Sequence, residues 1–296
     1  MTDRPPVCDY EGSRYQSEFW DTGGRAYEDQ TEARALQALL PPAGKLLLEV
    51  GAGAGRNTPR YAGFERVVLL DYSRTQLAQA QARLGRGARY VYVAADVYRL
   101  PFAPGLFDAA TMIRVLHHMA DAPAALAQVR AVLQPGATFI LEFANKQNLK
   151  AIARWLLGRQ AWSPFDPAPV EFAALNFDFH PATLLSWLRA AGFAPQALRA
   201  LSYFRVTWLK RRVPTGVLVA LDALLQPTGG LVQLSPSVFV RAQATGPGAP
   251  AEAGVFFRCP ACGSLALNDN GDHCLCSGCG RRWAVRDGIY DFKEPV

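Results

Sequence analysis

The feature that most constrains this 296-residue chain is a repeated switch of hydrophobic period through its first half. Short apolar runs at Lys45 to Val50, Arg66 to Leu70, Tyr90 to Ala94, Phe107 to Ile113 and Thr138 to Phe143 alternate with stretches of helical period. Runs of this kind read as strands buried on both faces. Strands separated by helices predict an α/β fold built on a doubly wound, mostly parallel sheet. Thr75 to Leu84 reads as one intervening helix, with Ser73 as its N-cap. Pro123 to Leu133 reads as a second, capped by Asp121 and stopped by Pro135-Gly136 before the next strand. A third, Pro181 to Ala191, ends at Gly192.

Half of the residues are hydrophobic and 19% are charged, which excludes a disordered or collagen-like chain. Met1 to Tyr10 is polar and lacks a secretory leader. The most apolar later stretch, Gly216 to Leu225, is broken by Asp222 and too short to cross about 30 Å of hydrocarbon, so a cytoplasmic protein without stable membrane insertion is expected. The formal net charge of +6 is localised: Leu149 to Arg212 holds nine Lys/Arg against three Asp/Glu. That excess is either a solvated face or a surface for an anionic partner such as RNA or a membrane. Small residues with Gly and Pro fill the stretch between Arg241 and Gly254 and read as a linker. The expected plan is a lead at 1–40, a main domain at 41–241 with an insertion at 145–180, a linker at 242–254 and a small module at 255–296.

Five of the six cysteines lie between Cys259 and Cys279. Cys259-Pro-Ala-Cys262 and Cys276-Ser-Gly-Cys279 are two CxxC pairs separated by thirteen residues, the spacing of a closed, structural tetrahedral zinc site. Cys274 and His273 are rival ligands, and Cys276 is preferred because only it completes a CxxC. Cys8 stands alone in the polar N-terminus and reads as an inert thiol. The segment from Val255 to Phe292 resembles the small zinc-ribbon family whose best-known members are activating partners of RNA and protein methyltransferases. The family ending RDGIP here reads Arg286-Asp287-Gly288-Ile289-Tyr290.

The first strand runs into Glu49-Val50-Gly51-Ala52-Gly53-Ala54-Gly55, which bares the backbone where strand gives way to helix. A dinucleotide fingerprint needs its third glycine where Arg56 stands. Asp71, twenty residues after Gly51, closes the second strand at the separation from which a carboxylate reaches both hydroxyls of a ribose. An adenosine without pyrophosphate fits. The set EVGAGAG, LLDYS, AADVYRLPF, LFDAATMIRVLHHM and LQPGATFILEF closely resembles class I S-adenosylmethionine-dependent methyltransferases, of the broad group that includes quinone C-methyltransferases. The resemblance implies a Rossmann-like sheet of seven strands. It also implies that Glu49, Gly51, Ala52, Gly53 and Gly55 hold the methionine end of the cofactor, with Asp71 on the ribose, Tyr72 beside the adenine, Asp96 and the Val97 backbone on the ring edge, and Arg114 lining the pocket.

Methyl transfer from a sulfonium needs alignment more than covalent help, and a base assists when the acceptor is a hydroxyl, an amine or an acidic carbon. His117 and His118 at the fourth strand's tip are the candidates, with packing as their alternative role. Asp108 reads as a turn or cap. Trp155, Trp162, Phe165, Phe172, Phe177 and Phe179 read either as an apolar lid over the acceptor or as cover for the sheet edge. Asn145, Lys146 and Asn148 are candidates to orient the acceptor, as are the lead from Tyr15 to Tyr27 and Tyr27 itself, closing over the cofactor. The leading expectation is a methyltransferase with a small apolar or aromatic acceptor. The alternatives are an RNA methyltransferase gripping RNA through the basic segment and ribbon, and a cofactor-binding scaffold whose ribbon recruits a protein partner.

Overall fold

The computed structural model describes residues 5–13, 16–22 and 24–296; Tyr15 lies outside them. A π-helical turn at Gln16–Asp21 leads into α1 (Ala26–Leu39). Then follow β1 (Gly44–Val50), β2 (Phe64–Asp71), α2 (Arg74–Leu84), β3 (Tyr90–Ala94), β4 (Phe107–Met112), α3 (Ala122–Val132) and β5 (Leu133–Ala144). The insertion carries α4 (Leu149–Leu156) and the hairpin of β6 (Val170–Ala173) and β7 (Asn176–Asp178). Beyond it lie α5 (Pro181–Ala190), β8 (Phe193–Leu201), α6 (Thr207–Arg212), α7 (Thr215–Leu225) and β9 (Ser237–Ala244). The C-terminal strands are β10 (Leu267–Asp269), β11 (His273–Cys276), β12 (Arg282–Arg286) and β13 (Ile289–Asp291).

The expected sheet is present as the strand order β3-β2-β1-β4-β5-β9-β8, parallel except where β9 runs antiparallel to both β5 and β8. Successive strand residues serve opposite faces. Leu48, Val50, Val68, Leu70 and Val93 pack into one core layer, and Leu47, Val67, Leu69 and Tyr92 into the other. Both expected caps form: Ser73 accepts from the Gln76 amide, and Asp121 accepts from the Ala124 amide. Asp108 is structural as expected, its carboxylate taking the Lys45 and Leu46 amides at 2.7 and 2.8 Å. Pro135-Gly136 does not separate α3 from the next strand, because β5 already begins at Leu133.

Two expectations about the C-terminal part need correction. Ala242 and Ala244 belong to buried β9, paired with Pro195 and Phe193, so the expected linker begins inside the sheet. The rest of that stretch is also held: the Ala251 amide donates to the Gly105 carbonyl at 2.8 Å, and a Cβ on Gly105 would sit 2.2 Å from the Ala249 carbonyl oxygen. Nor does the cysteine-bearing module hang free. β13 pairs in parallel with β3, Ile289 opposite Tyr92 and Asp291 opposite Ala94, extending the sheet to 11 strands. Phe256 and Phe257 pack on Phe102 with ring centroids 6.2 and 6.1 Å away.

Removing residues 245–296 would therefore strip a strand from β3 and uncover Phe102. Each large apolar side chain exposed loses about 1.5–3 kcal/mol, against a total stability of about 5–15 kcal/mol. The truncated chain is expected to aggregate or lose its cooperative melt, as read by thermal denaturation with size-exclusion chromatography. A truncated chain melting like the intact one would show that the module is dispensable.

Candidate functional site

A cavity opens at the C-terminal ends of β1, β2 and β4, where a doubly wound sheet characteristically binds its ligand. Gly51, Gly53 and Gly55 all have positive φ, 68°, 54° and 72°, so this loop needs glycine for conformation. The three differ in what surrounds them. A Cβ on Gly51 would strike Val115 at 2.1 Å and one on Gly55 would strike Leu84 at 2.8 Å, whereas around Gly53 only the Gln76 side-chain oxygen, at 3.9 Å, comes within 4 Å. Gly53 is thus the point at which a ligand can reach the backbone. Ala52 and Gly55 shape the loop from behind: the Ala52 amide donates to the Leu70 carbonyl, and the Gly55 amide to the Ala52 carbonyl.

Asp71 stands at the tip of β2 on the cavity wall. Its carboxylate accepts from the Gly53 amide at 2.8 Å and from the Ser73 amide at 2.9 Å. Burial nonetheless pushes its pKa up to about 6. Tyr72 and Val97 line the same cavity. Asp96 opens on an adjoining depression that shares Val7 and Tyr72 with the cavity, and its carboxylate caps the short turn at Val97–Arg99. Lys293, from the C-terminal tail, lies 5.1 Å from the Tyr72 ring.

Glu49 departs from its expected role. Strand alternation puts it on the Leu47 face of β1, where its carboxylate accepts from Thr58 Oγ1 at 2.6 Å and Tyr61 Oη at 3.3 Å, and burial raises its pKa to about 7. It is not among the residues of the cavity wall.

Arg114 does line the cavity, in a left-handed conformation with φ of 58°. Buried Glu32 of α1 holds its guanidinium at 2.5 Å, and Glu142 of β5 accepts its amide at 2.9 Å. Glu32 also binds Arg56 at 2.7 Å, and the Trp20 ring lies near both guanidiniums, 3.6 Å from Arg56 and 4.9 Å from Arg114.

Of the two histidines, His118 lines the cavity. Its Nδ1 lies 3.0 Å from the Leu175 carbonyl, which can only accept, so Nδ1 carries the proton. Nε2 is then the lone-pair nitrogen, 3.2 Å from the Tyr10 hydroxyl. Burial lowers the His118 pKa, and burial followed by His118 and Arg114 lowers that of His117 further. Both imidazoles are neutral at physiological pH. Leu175 itself has φ of 51°, so the carbonyl that fixes the tautomer is delivered by a strained residue.

Other expected acceptor residues are structural. Asn145 donates to the Gln233 and Ser235 carbonyls, Lys146 to the Asp166 and Ala168 carbonyls, and Asn148 caps α4. Tyr27 is buried away from the cofactor cavity and donates to Asp222 at 2.6 Å. The aromatic lid does not assemble over the cavity. Phe179 is core, Trp155 and Phe165 pair at the surface, Trp162 sits by Lys146, and Phe172 is exposed. Among the wall residues that sequence reasoning missed are Val7, Cys8, Tyr10 and Gln76. Gln76 presents a buried side-chain oxygen with no hydrogen-bond partner among the described residues, a group suited to a ligand's ammonium. Cys8 lies on this wall rather than in an isolated tail.

Cys259, Cys262, Cys276 and Cys279 come together with their sulfurs within 4.8 Å of one another. The Cys259–Cys279 and Cys262–Cys276 separations are 3.8 and 3.6 Å. A tetrahedral ion with metal–sulfur bonds of about 2.3 Å spaces its ligands at about 3.8 Å, so the four thiols fit that shell. Cys274 is buried beside Trp283 in register on β12 and is not part of the cluster.

Comparison with known proteins agrees with this geometry. Residues 48–141 match the family described as a methyltransferase domain. The demethylmenaquinone methyltransferase of Parafrankia sp. (strain EAN1pec) is 30% identical over 67% of this chain and 82% of its own length. The O-methyltransferase cnsE of Penicillium expansum is 35% identical over 35% of this chain, which spans only 39% of that protein. The structure of a Haloferax volcanii complex between the Trm112 methyltransferase activator and a methyltransferase includes a chain with the same fold, with a TM-score of 0.56 at 15% identity over 78% of this chain and 96% of that one. A glycine loop open at Gly53, a carboxylate at the second strand's tip and these relatives lead to one conclusion: the chain belongs to the S-adenosylmethionine-dependent methyltransferases, in the family that contains the demethylmenaquinone methyltransferases.

Proposed function

We propose that this enzyme methylates a small, apolar or aromatic acceptor that carries a weakly acidic hydroxyl or ring carbon. The observation that carries the reading is His118, a neutral imidazole of fixed tautomer on the wall of a largely apolar cavity. The relatedness to demethylmenaquinone methyltransferases supports the same acceptor class.

When bound, S-adenosylmethionine supplies a methyl group on a positively charged sulfur that departs as a neutral thioether. Asp71 would accept the ribose hydroxyls, the Gly53 backbone would lie against the methionine portion, Gln76 would accept from its ammonium, and Asp96, Val97 and Tyr72 would frame the adenine. His118 Nε2 would take the acceptor's proton as the new bond to the methyl carbon forms, with Tyr10 giving way to the acceptor hydroxyl. Val7, Val115 and Met119 contribute apolar surface to the wall. We also infer that Cys259, Cys262, Cys276 and Cys279 hold a structural zinc ion, which leaves no open position for catalysis, and that residues 255–296 form a ribbon supporting the sheet edge.

Asp71→Ala is expected to weaken S-adenosylmethionine binding by at least about 30-fold in calorimetry, the loss of two hydrogen bonds to a charged group. Unchanged affinity would remove Asp71 from the site. Because the free carboxyl is raised to about 6 and must be ionised to accept hydroxyl protons, wild-type affinity should be level at neutral pH and fall as pH drops through 6. His118→Gln is expected to lower kcat by about 100-fold or more while cofactor affinity changes only a few-fold; a full kcat would assign His118 to packing. Chelating the zinc should lower the melting temperature of the whole chain, since β13 is bonded into the central sheet. A separate low-temperature transition with the main melt unmoved would contradict that coupling.

A further inference from the structure

The insertion and the helices after β8 turn apolar residues outward. In α4 only Ala151 is buried. Leu149, Ile152, Trp155 and Leu156 recur at helical spacing along one stripe, with Leu156 70% exposed. α7 repeats the pattern: Leu218, Val219 and Asp222 face inward, while Val217, Leu221, Leu224 and Leu225 form an outer stripe, Leu224 being 77% exposed. Trp208 of α6 is 61% exposed and Leu231, in the following turn, 91%. An ordinary amphipathic helix buries such a stripe. Here two helices present theirs to the outside.

These stripes are linked along the chain and across it. The Leu149 amide donates to the Leu234 carbonyl at 2.9 Å, which sets the start of α4 beside the turn holding Leu231 and Val232. That turn continues directly from α7. Trp155 meets Phe165 edge to face at 5.6 Å, extending the patch into the insertion.

The charge on these elements has one sign. α4 and α6 present exposed Lys150, Arg154, Arg211 and Arg212 and contain no acidic residue, while Lys210 of α6 is spent on the buried Glu28 carboxylate at 2.9 Å. Exposed Arg159 follows α4. The acidic residue of α7, Asp222, is buried and accepts from Tyr27 Oη and the Tyr203 amide. Outward aliphatic stripes, interfacial tryptophans and flanking cations complement the anionic headgroups and acyl boundary of a bilayer. No described helix is long and apolar enough to cross a membrane, so this surface can lie on the bilayer but none of these helices can span it.

We propose that α4, α6, α7 and the turn at Leu231 form a docking surface for an anionic lipid bilayer, on which the protein rests peripherally. This surface is independent of the identity of the methyl acceptor.

The test is sedimentation of the full chain with vesicles of phosphatidylcholine alone and of an equimolar mixture of phosphatidylcholine and phosphatidylglycerol. Binding to the mixed vesicles is expected, with loss at high salt and little binding to phosphatidylcholine. Lys150→Glu with Arg211→Glu and Arg212→Glu should weaken binding by about five-fold or more for each cation replaced. Leu156→Ser with Leu224→Ser should weaken it by about ten-fold or more through the apolar term alone. All these positions are exposed, so the variants should keep the wild-type melting temperature. Absence of vesicle binding would overturn the proposal, as would equal binding by the variants. It would fall equally if the wild-type chain formed a dimer that the leucine variants abolish, or bound RNA through the same cations while ignoring vesicles.

Discussion

The cofactor end of this enzyme depends on the hydrogen bond from the Gly53 amide to the Asp71 carboxylate. It ties the loop after β1 to the tip of β2, so two segments far apart in sequence present one surface. The bond also accounts for the state of Asp71. A buried carboxylate with only backbone amides as partners is partly destabilised as an anion, and its pKa rises towards 6. It therefore faces the cavity with capacity to accept further hydrogen bonds, which is the property a ribose would use.

Around that bond lies a second tier of fixed charges. Glu32 holds Arg56 and Arg114 together, and Glu142 holds the backbone of Arg114 from the opposite side. These buried carboxylates bring α1, β4 and β5 to one place and keep Arg114 in a conformation that a non-glycine residue adopts only under constraint. Arg114 reaches the cavity with its charge already compensated. The imidazole of His118 stands on the same wall with its Nε2 lone pair turned to the Tyr10 hydroxyl. Charge in the site is thus organised to shape it, while the imidazole on its wall stays uncharged.

Much of this was legible in the sequence because the relevant signals are local. Five strands announced themselves as apolar runs, and the glycine loop, Asp71 and the two CxxC pairs are fixed by spacing. What stayed hidden is non-local. Glu49 belongs to the same motif as Gly51, yet the alternation of β1 turns it to the opposite core layer. Strands β8 and β9 were not among those runs: Gln196 and Arg199 interrupt β8, and its pairing with β9 shifts register between Pro195 and Ala197. The wall residues Val7, Cys8, Tyr10 and Gln76 carry no motif: the first three reach the wall only where the N-terminal segment meets the cavity, and Gln76 only through the placement of α2. The aromatic insertion was legible in composition but not in direction: whether an aromatic covers a cavity, a core or an outer surface is decided by tertiary packing.

The N-terminal segment and the C-terminal tail meet over the start of α2. Glu11 accepts from the Arg74 and Thr75 amides and lies 3.9 Å from Lys293, while Asp291 lies 3.7 Å from Arg74. This bears on how the protein is made. During synthesis the edge of β3 stays open until Asp291 has left the ribosome, although every residue that would touch the methyl donor has long since emerged. Between the emergence of β3 and that of β13 the sheet carries an unpaired edge, exposed to pairing with neighbours.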